Sequence, residues 1–354
     1  MNGLANDRFG KSVAVFDNTI VVGADQSGKR NGFVDIYNRN ANSFSHQAKL
    51  LAPDGEAGDL FGFKVAIYGN TAAVSSPQDD RESGSVHIFV RNNVQQSWKY
   101  EAKLLASDGT RGDFFGQDIA IYGDTVVVGS DQDDNRNGEG SGSVHVFVRS
   151  GQTWSRKAKL ILQDGGPKIR FGNSVSIHGN TLVVGAYRDR SAHVYVRNGA
   201  TWSYQEELLA PEPESVGLFG TSVAIFEDTI VVGAPFNTNG VKGEGSAHVY
   251  LRDGRTWLHQ TTLLSQGGGK GSLSSGFGKC VAINNARIVV SEEGGGGGSL
   301  HVFNGRKRAW IHQDRLETPG GGTKFGLSLS VSQGAIVAGS LDDRGNEGAA
   351  YVFE

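Results

Sequence analysis

The sequence predicts an all-β chain, a seven-bladed β-propeller of four-stranded antiparallel blades whose last blade has three strands. Two observations carry this prediction. Phe-Gly pairs recur at Phe9, Phe61, Phe115, Phe171, Phe219, Phe277 and Phe325, at intervals of 52, 54, 56, 48, 58 and 48 residues. After each pair the same order of short apolar runs returns, and four strands in about fifty residues describe a propeller blade better than a helical solenoid. The whole of 1–354 reads as one domain, with a blade opening near each Phe.

Each unit opens with an alternating run such as "KSVAV" or "TSVAI", the period-2 pattern of a strand. A two-residue turn follows, for example Gly123-Asp124 or Gly179-Asn180, made of residues that tolerate positive φ. The second strand is apolar throughout ("TIVVGA", "TVVVGS", "TLVVGA"), and after a loop of variable length comes a third, such as "VHVFV" or "AHVYV". Six units continue into a fourth strand marked by an aromatic and, six residues later, a Leu: Phe44/Leu50, Trp98/Leu104, Trp154/Leu160, Trp202/Leu208, Trp257/Leu263 and Trp310/Leu316. The even spacing predicts that both side chains share one face. The seventh unit stops at "AAYVFE", so the chain reads as part of a longer polypeptide or assembly.

A blade has two apolar faces and cannot hide both alone, so the ring must close on itself. Phe then reads as a wedge between neighbouring blades, and the Gly after it as the place where two backbones come close.

Composition narrows the function. The formal charge is −3 with no basic block, which argues against a nucleic-acid partner. No apolar run approaches the length of a membrane span, and the chain opens on MNGLANDRFG without a basic and then apolar leader. If the protein acts outside the cell, its export signal lies outside this sequence. The lone Cys280 excludes a disulfide framework and a multi-cysteine zinc site.

The pattern FG-x-S-V-A followed by V-V-G-A, at Phe9 to Ala24 and Phe219 to Ala234, resembles the FG-GAP repeats of integrin alpha-chain propellers and related extracellular proteins. The resemblance implies a cell-surface or extracellular module that binds or adheres through loops on one propeller face. It also implies calcium loops between first and second strands. Here that place holds only "YGNT", "YGDT" or "FEDT", too short to supply the oxygens of a Ca²⁺ site, so no cofactor is expected.

Loops after strands two and four share one face of the ring. Those after strand two hold 15 acids against 8 bases, whereas those after strand three are basic, with Arg39, Arg91, Arg149, Arg197, Arg252, Arg255, Arg306, Lys307 and Arg308 against Asp253. The first face is therefore expected to be acidic and to bind a protein or glycan ligand, through Asp79, Asp80, Asp131, Asp133, Asp134, Arg136, Asp189, Asp342 and Asp343. Asp131, Asp133 and Asn135 match only the start of an EF-hand loop and lack its distal Glu, which leaves Ca²⁺ as the one ion to test there.

Other features read as structural. His87, His145, His193, His248 and His301 occupy one third-strand position on separate sheets and cannot converge on a metal. Lys64 and Asp118 replace a serine on neighbouring innermost strands, where they can pair across the channel, and Cys280 holds the same place in blade six. In Arg111-Gly112-Asp113 only the Arg departs from the repeat. No cluster of His, Asp or Glu breaks the repeat in several adjacent loops, so the chain is not expected to be an enzyme. A structural or assembly role through the open seventh blade is the alternative, and a polysaccharide-acting enzyme is less favoured.

Overall fold

A computed structural model describes residues 7–26, 31–40, 43–92, 94–212, 217–236, 245–266, 276–293, 297–306, 309–318, 324–343 and 347–354. Six sheets hold four strands each in sequential order and the seventh holds three, all paired antiparallel. Neighbouring inner strands line a central channel of about 280 Å³, as in a closed propeller.

The Phe-Gly pairs do what their repetition predicts. All seven phenylalanines are fully buried, and each core cluster unites the strands of two adjacent blades around one of them. Phe115, for example, packs on Val86, Ile88 and Leu104 of blade two as well as on Ile119 and Val126 of its own blade. Burying each ring is worth roughly 1.5–3 kcal/mol. The following glycine has positive φ and no room for a side chain: a Cβ at Gly172 (φ +93°) would stand 2.6 Å from the Ser143 carbonyl oxygen of the previous blade.

Side chains of the inner strands stitch each blade to the next. Ser12 Oγ donates to Gly62 O, Ser174 Oγ accepts from Val223 N, and Ser222 Oγ accepts from Val281 N. The same device closes the ring between blades seven and one, where Ser328 Oγ donates to Gly10 O at 2.8 Å and Val15 N donates to Ser330 Oγ at 3.1 Å. A parallel bridge between Phe9 and Gly348 completes that seam.

One expectation is overturned. The aromatic and the Leu of the fourth strand do not share a face. In all six complete blades the third and fourth strands shift register by a β-bulge, as between Val146 and Phe147 in blade three. The extra residue reverses the alternation between the two markers. Trp154 accordingly packs in the seam with blade two, whereas Leu160 packs in the seam with blade four. The outer strand thus fastens its blade to both neighbours. Trp154 Nε1 also donates to Glu101 Oε1 on the preceding outer strand, at 2.9 Å.

Candidate functional site

The two faces of the ring differ in what their charges are doing. On the strand-three side five arginines are tethers, while Arg255 is exposed. Arg91 donates to Asn70 and to Thr19 of the previous blade and lies over Trp98; Arg197 does the same with Asn180, Thr125 and Trp202; Arg252 does so with Asp228, Thr181 and Trp257. Arg149 donates to Glu101 at 2.6 Å, and Arg39 pairs with Glu354 at 2.9 Å. Their positive charge is largely spent on holding blades together. Lys307 and Arg308 lie outside the described residues.

On the strand-two side the acids fall into two groups. Asp79, Asp131, Asp133 and Asp343 are buried, so this face is less acidic than its composition suggests. Asp80, Asp134, Arg136 and Asp189 are exposed and Asp342 is half-buried. Exposed Arg81, Arg188, Arg190 and Glu139 lie among them, giving a rim of mixed charge on rigid supports.

The buried acids belong to a network that recurs from blade to blade. In blade two Ser85 Oγ donates to Asp79 at 2.6 Å and meets His87 Nε2 at 3.1 Å, while Lys103 Nζ reaches Asp79 at 2.8 Å. In blade three Ser143 donates to Asp133 and meets His145 Nε2 at 3.1 Å, with Lys159 Nζ 2.7 Å from Asp133. Blade six uses Glu292, 2.8 Å from His301 Nε2 and 3.2 Å from Ser299 Oγ. In blade seven Tyr351 Oη donates to Asp343. Each histidine ring also meets its blade's Phe-Gly phenylalanine edge-on, at 5.2–5.7 Å between centroids.

Burial works to raise the Asp79 carboxyl, but its interactions with His87, Lys103 and Ser85 outweigh it and hold the group well below the ordinary range. Glu292 is held at about 2 by its contacts with His301, Ser265 and Ser299, again against burial. Burial depresses His145 to about 3, His193 to about 4 and His248 to about 3, so these rings are neutral. Asp131 lacks a lysine, and burial raises it to about 6.

Serine, histidine and carboxylate together invite comparison with a hydrolytic triad. The order is wrong for that chemistry: the serine stands between the acid and the imidazole, where a triad places the imidazole between serine and acid. The groups are also buried, with no path for a substrate to the serine oxygen. The network orders a loop and a strand end.

Four further sequence features resolve structurally. Asn135 accepts from Asn137 N and donates to Gly142 O, and Asp133 is neutralised by Lys159, so two of the three residues at the start of an EF-hand loop are occupied by internal bonds, while Asp131 is buried. Asp113 is buried and accepts from Thr110 N and Oγ1, while Arg111 pairs with Glu82. The Arg-Gly-Asp tripeptide is therefore not displayed. In the channel Lys64 Nζ lies 3.1 Å from Asp118, which also accepts from Val175 N. Cys280 Sγ donates to Leu327 O, and burial raises its thiol.

One group was missed from sequence. Asp189, His193 and Glu207 in blade four bring one ligand atom each within 4.8 Å of one another. The expectation that the histidines hold no metal considered only convergence of five rings and not one ring with carboxylates of its own blade.

Residues 1–35, 44–89, 98–147, 154–200 and 202–250 match the FG-GAP repeat. No curated protein sequence matches significantly. Among solved structures, Sqt1 of Saccharomyces cerevisiae superposes with a TM-score of 0.58 at 10% identity, over 99% of this chain and 87% of that one. An acylaminoacyl peptidase of Pyrococcus horikoshii superposes with a TM-score of 0.56 at 11% identity, over 100% of this chain but 51% of the peptidase. At such identities the likeness shows the fold alone. No helix among the described residues is long and apolar enough to cross a membrane.

Proposed function

This chain belongs to the FG-GAP repeat family, and on that premise we propose that it is a non-catalytic binding or adhesion module that works outside the cell. It presents the loops of its strand-two face to a protein or glycan ligand. The observation that carries this reading is the contrast between the faces: Arg91, Arg197 and Arg252 of one are tied to the neighbouring blade, whereas Arg136 of the other is exposed beside Asp80, Asp134 and Asp189, which are exposed too although each takes one bond from Lys103, Gly140 N or Ser191. Mixed exposed charge suits a polar ligand and offers no basic stripe to nucleic acid. The buried order acid, serine, histidine supports a role without turnover.

The test is a glycan and protein binding array probed with the full chain and with Asp80→Ala, Asp134→Ala and Arg136→Ala. All three positions are exposed, so the fold should be retained; Asp80→Ala and Asp134→Ala each lose one bond, from Lys103 and from Gly140 N, and melts of the variants check the cost. At least one of the three should weaken binding about tenfold, the scale of a polar contact at an interface centre. Turnover of a polymer substrate, or binding that all three variants retain, would refute the proposal.

A second reading rests on blade seven. Its third strand, Ala349–Phe353, carries no fourth strand among the described residues, whereas that edge is covered in the other six blades. An added strand from a partner would pair there by β-augmentation, which makes the domain an assembly subunit. Concentration-dependent oligomers would favour this reading over the first.

A further inference from the structure

We propose that Asp189, His193 and Glu207 of blade four form a binding site for one divalent first-row transition metal ion, with Zn²⁺ as its best-suited occupant. The inference stands apart from the ligand-binding reading and comes from comparing one position across the ring. The third-strand residue at the histidine site faces a fixed partner on the outer strand: Asp35 faces Lys49, His87 faces Lys103, His145 faces Lys159 and His301 faces Arg315. In those four blades the partner is a cation. In blades two and three it neutralises the buried aspartate directly, at 2.8 and 2.7 Å.

In blade four the partner of His193 is Glu207. Blade five replaces the cation by Thr262, whereas blade four replaces it by a second acid, so that the network of blades two, three and six, an acid with a base, becomes one of two acids. Burial and the charge of Asp189 both raise the Glu207 carboxyl, as expected for two carboxylates without a counter-ion. Neither Asp189 nor Glu207 has an ion-pair partner within 4.0 Å among the described residues, although Arg188 and Arg190 adjoin Asp189 in sequence; the Arg188 guanidinium lies over Tyr187.

A second, independent observation points to a ligand. His193 is only 4% exposed, and its Nδ1 is buried without a hydrogen-bond partner, while Nε2 is fixed by Ser191 Oγ at 2.8 Å. At the same place in blades three, five and six the ring's Nδ1 meets Arg156 Nη1 at 3.4 Å, Thr262 Oγ1 at 3.3 Å or His312 Nε2 at 3.1 Å; His87 of blade two shares the bare Nδ1, but there Lys103 already neutralises the neighbouring Asp79 at 2.8 Å. A ring held through one nitrogen with the other left bare is how proteins present an imidazole to a metal. One nitrogen with two carboxylate oxygens and an open fourth position suits Zn²⁺ bound at about 2.0–2.2 Å. The ligand atoms lie within 4.8 Å of one another; Glu207 and Asp189 are exposed, and metal binding would exchange the bond that Asp189 accepts from Ser191 Oγ, at 3.1 Å, for a bond to the ion.

The test is calorimetric titration of the full chain with Zn²⁺, paired with thermal melts in Zn²⁺ and in chelator. The wild type should bind one ion and gain roughly 2–5 °C in Tm under saturating zinc. Glu207→Lys installs the residue that three other blades carry at this position, so it should fold and melt at least as high as the wild type in chelator. It should bind Zn²⁺ at least ten times more weakly and lose the zinc-dependent shift. Asp189→Asn, at an exposed position, provides a second variant with the same expected loss. Absence of zinc binding by the wild type, or binding that survives both substitutions undiminished, would overturn the proposal.

Discussion

In blade three the buried His145 has Ser143 and Asp133 on one side and Lys159 across the outer strand; in blade four His193 has Ser191 and Asp189, but Glu207 stands where the lysine was. The packing around the two rings is alike. Phe115 and Phe171 meet the imidazoles edge-on, and Trp154 and Trp202 cap the outer strands at the same register. The shared parts are mechanical, because they repeat wherever two blades must seal. The departures are mainly electrostatic: Lys159 gives way to Glu207, Arg156 to Tyr204 and the buried Asp133 to the exposed Asp189, which turns a self-neutralised cluster into one with an unmet charge.

The largest effect should come from the shared parts. Phe115→Ala and Phe171→Ala should each cost about 3–5 kcal/mol in denaturant unfolding, since each empties a fully buried wedge. Tolerance of either change would break the equivalence of the two blades. Gly172→Ala should cost at least about 2 kcal/mol, because its positive φ and the Ser143 carbonyl leave no relaxed place for a methyl group.

Both histidines should make the fold acid-sensitive in the same direction. Each is neutral in the folded protein, held at about 3 (His145) and about 4 (His193), while in the unfolded chain the ring takes a proton below about 6.5. The stability they permit is therefore complete above pH 6.5 and is lost as the pH falls toward 4. Melts between pH 7 and 4 should show the decline, and His193→Gln should flatten it.

The two blades should then part company. Lys159→Met strands the buried Asp133 and should cost about 2–3 kcal/mol, whereas Glu207→Met removes one of two unpaired acids and should be neutral or stabilising without metal. Equal losses would mean that Glu207 has a counter-ion after all. Smallest is the response of Asp131, raised by burial to about 6. Asp131→Asn should gain about 1–2 kcal/mol at pH 8, and the gain should vanish by pH 4, where the native carboxyl is protonated.

Much of the fold was legible in the sequence because its seams require the same residues every time. Phe115 and Phe171 with their glycines, and the apolar second strands, recur since no other side chain fills that geometry. The bulge between third and fourth strands was not legible, because an inserted residue such as Lys157 looks like any other on an exposed strand and only its pairing reveals it. The site was read less well. In Asp79-Asp80 and Asp133-Asp134 the first acid turns inward, and in Asp342-Asp343 the second does. Adjacent identical side chains carry no mark of direction. Glu207, by contrast, did leave a signal: the residue before the repeat's Leu is Lys49, Lys103 and Lys159 in the first three blades and an acid in the fourth.

Anomalous scattering at the zinc edge from crystals grown with Zn²⁺ tests that reversal of charge most directly. A single strong peak among Asp189, His193 and Glu207, with none at Asp79, His87 and Lys103 or at Asp133, His145 and Lys159, is the predicted map. An empty blade four, or peaks of equal height in blades two and three, would contradict it.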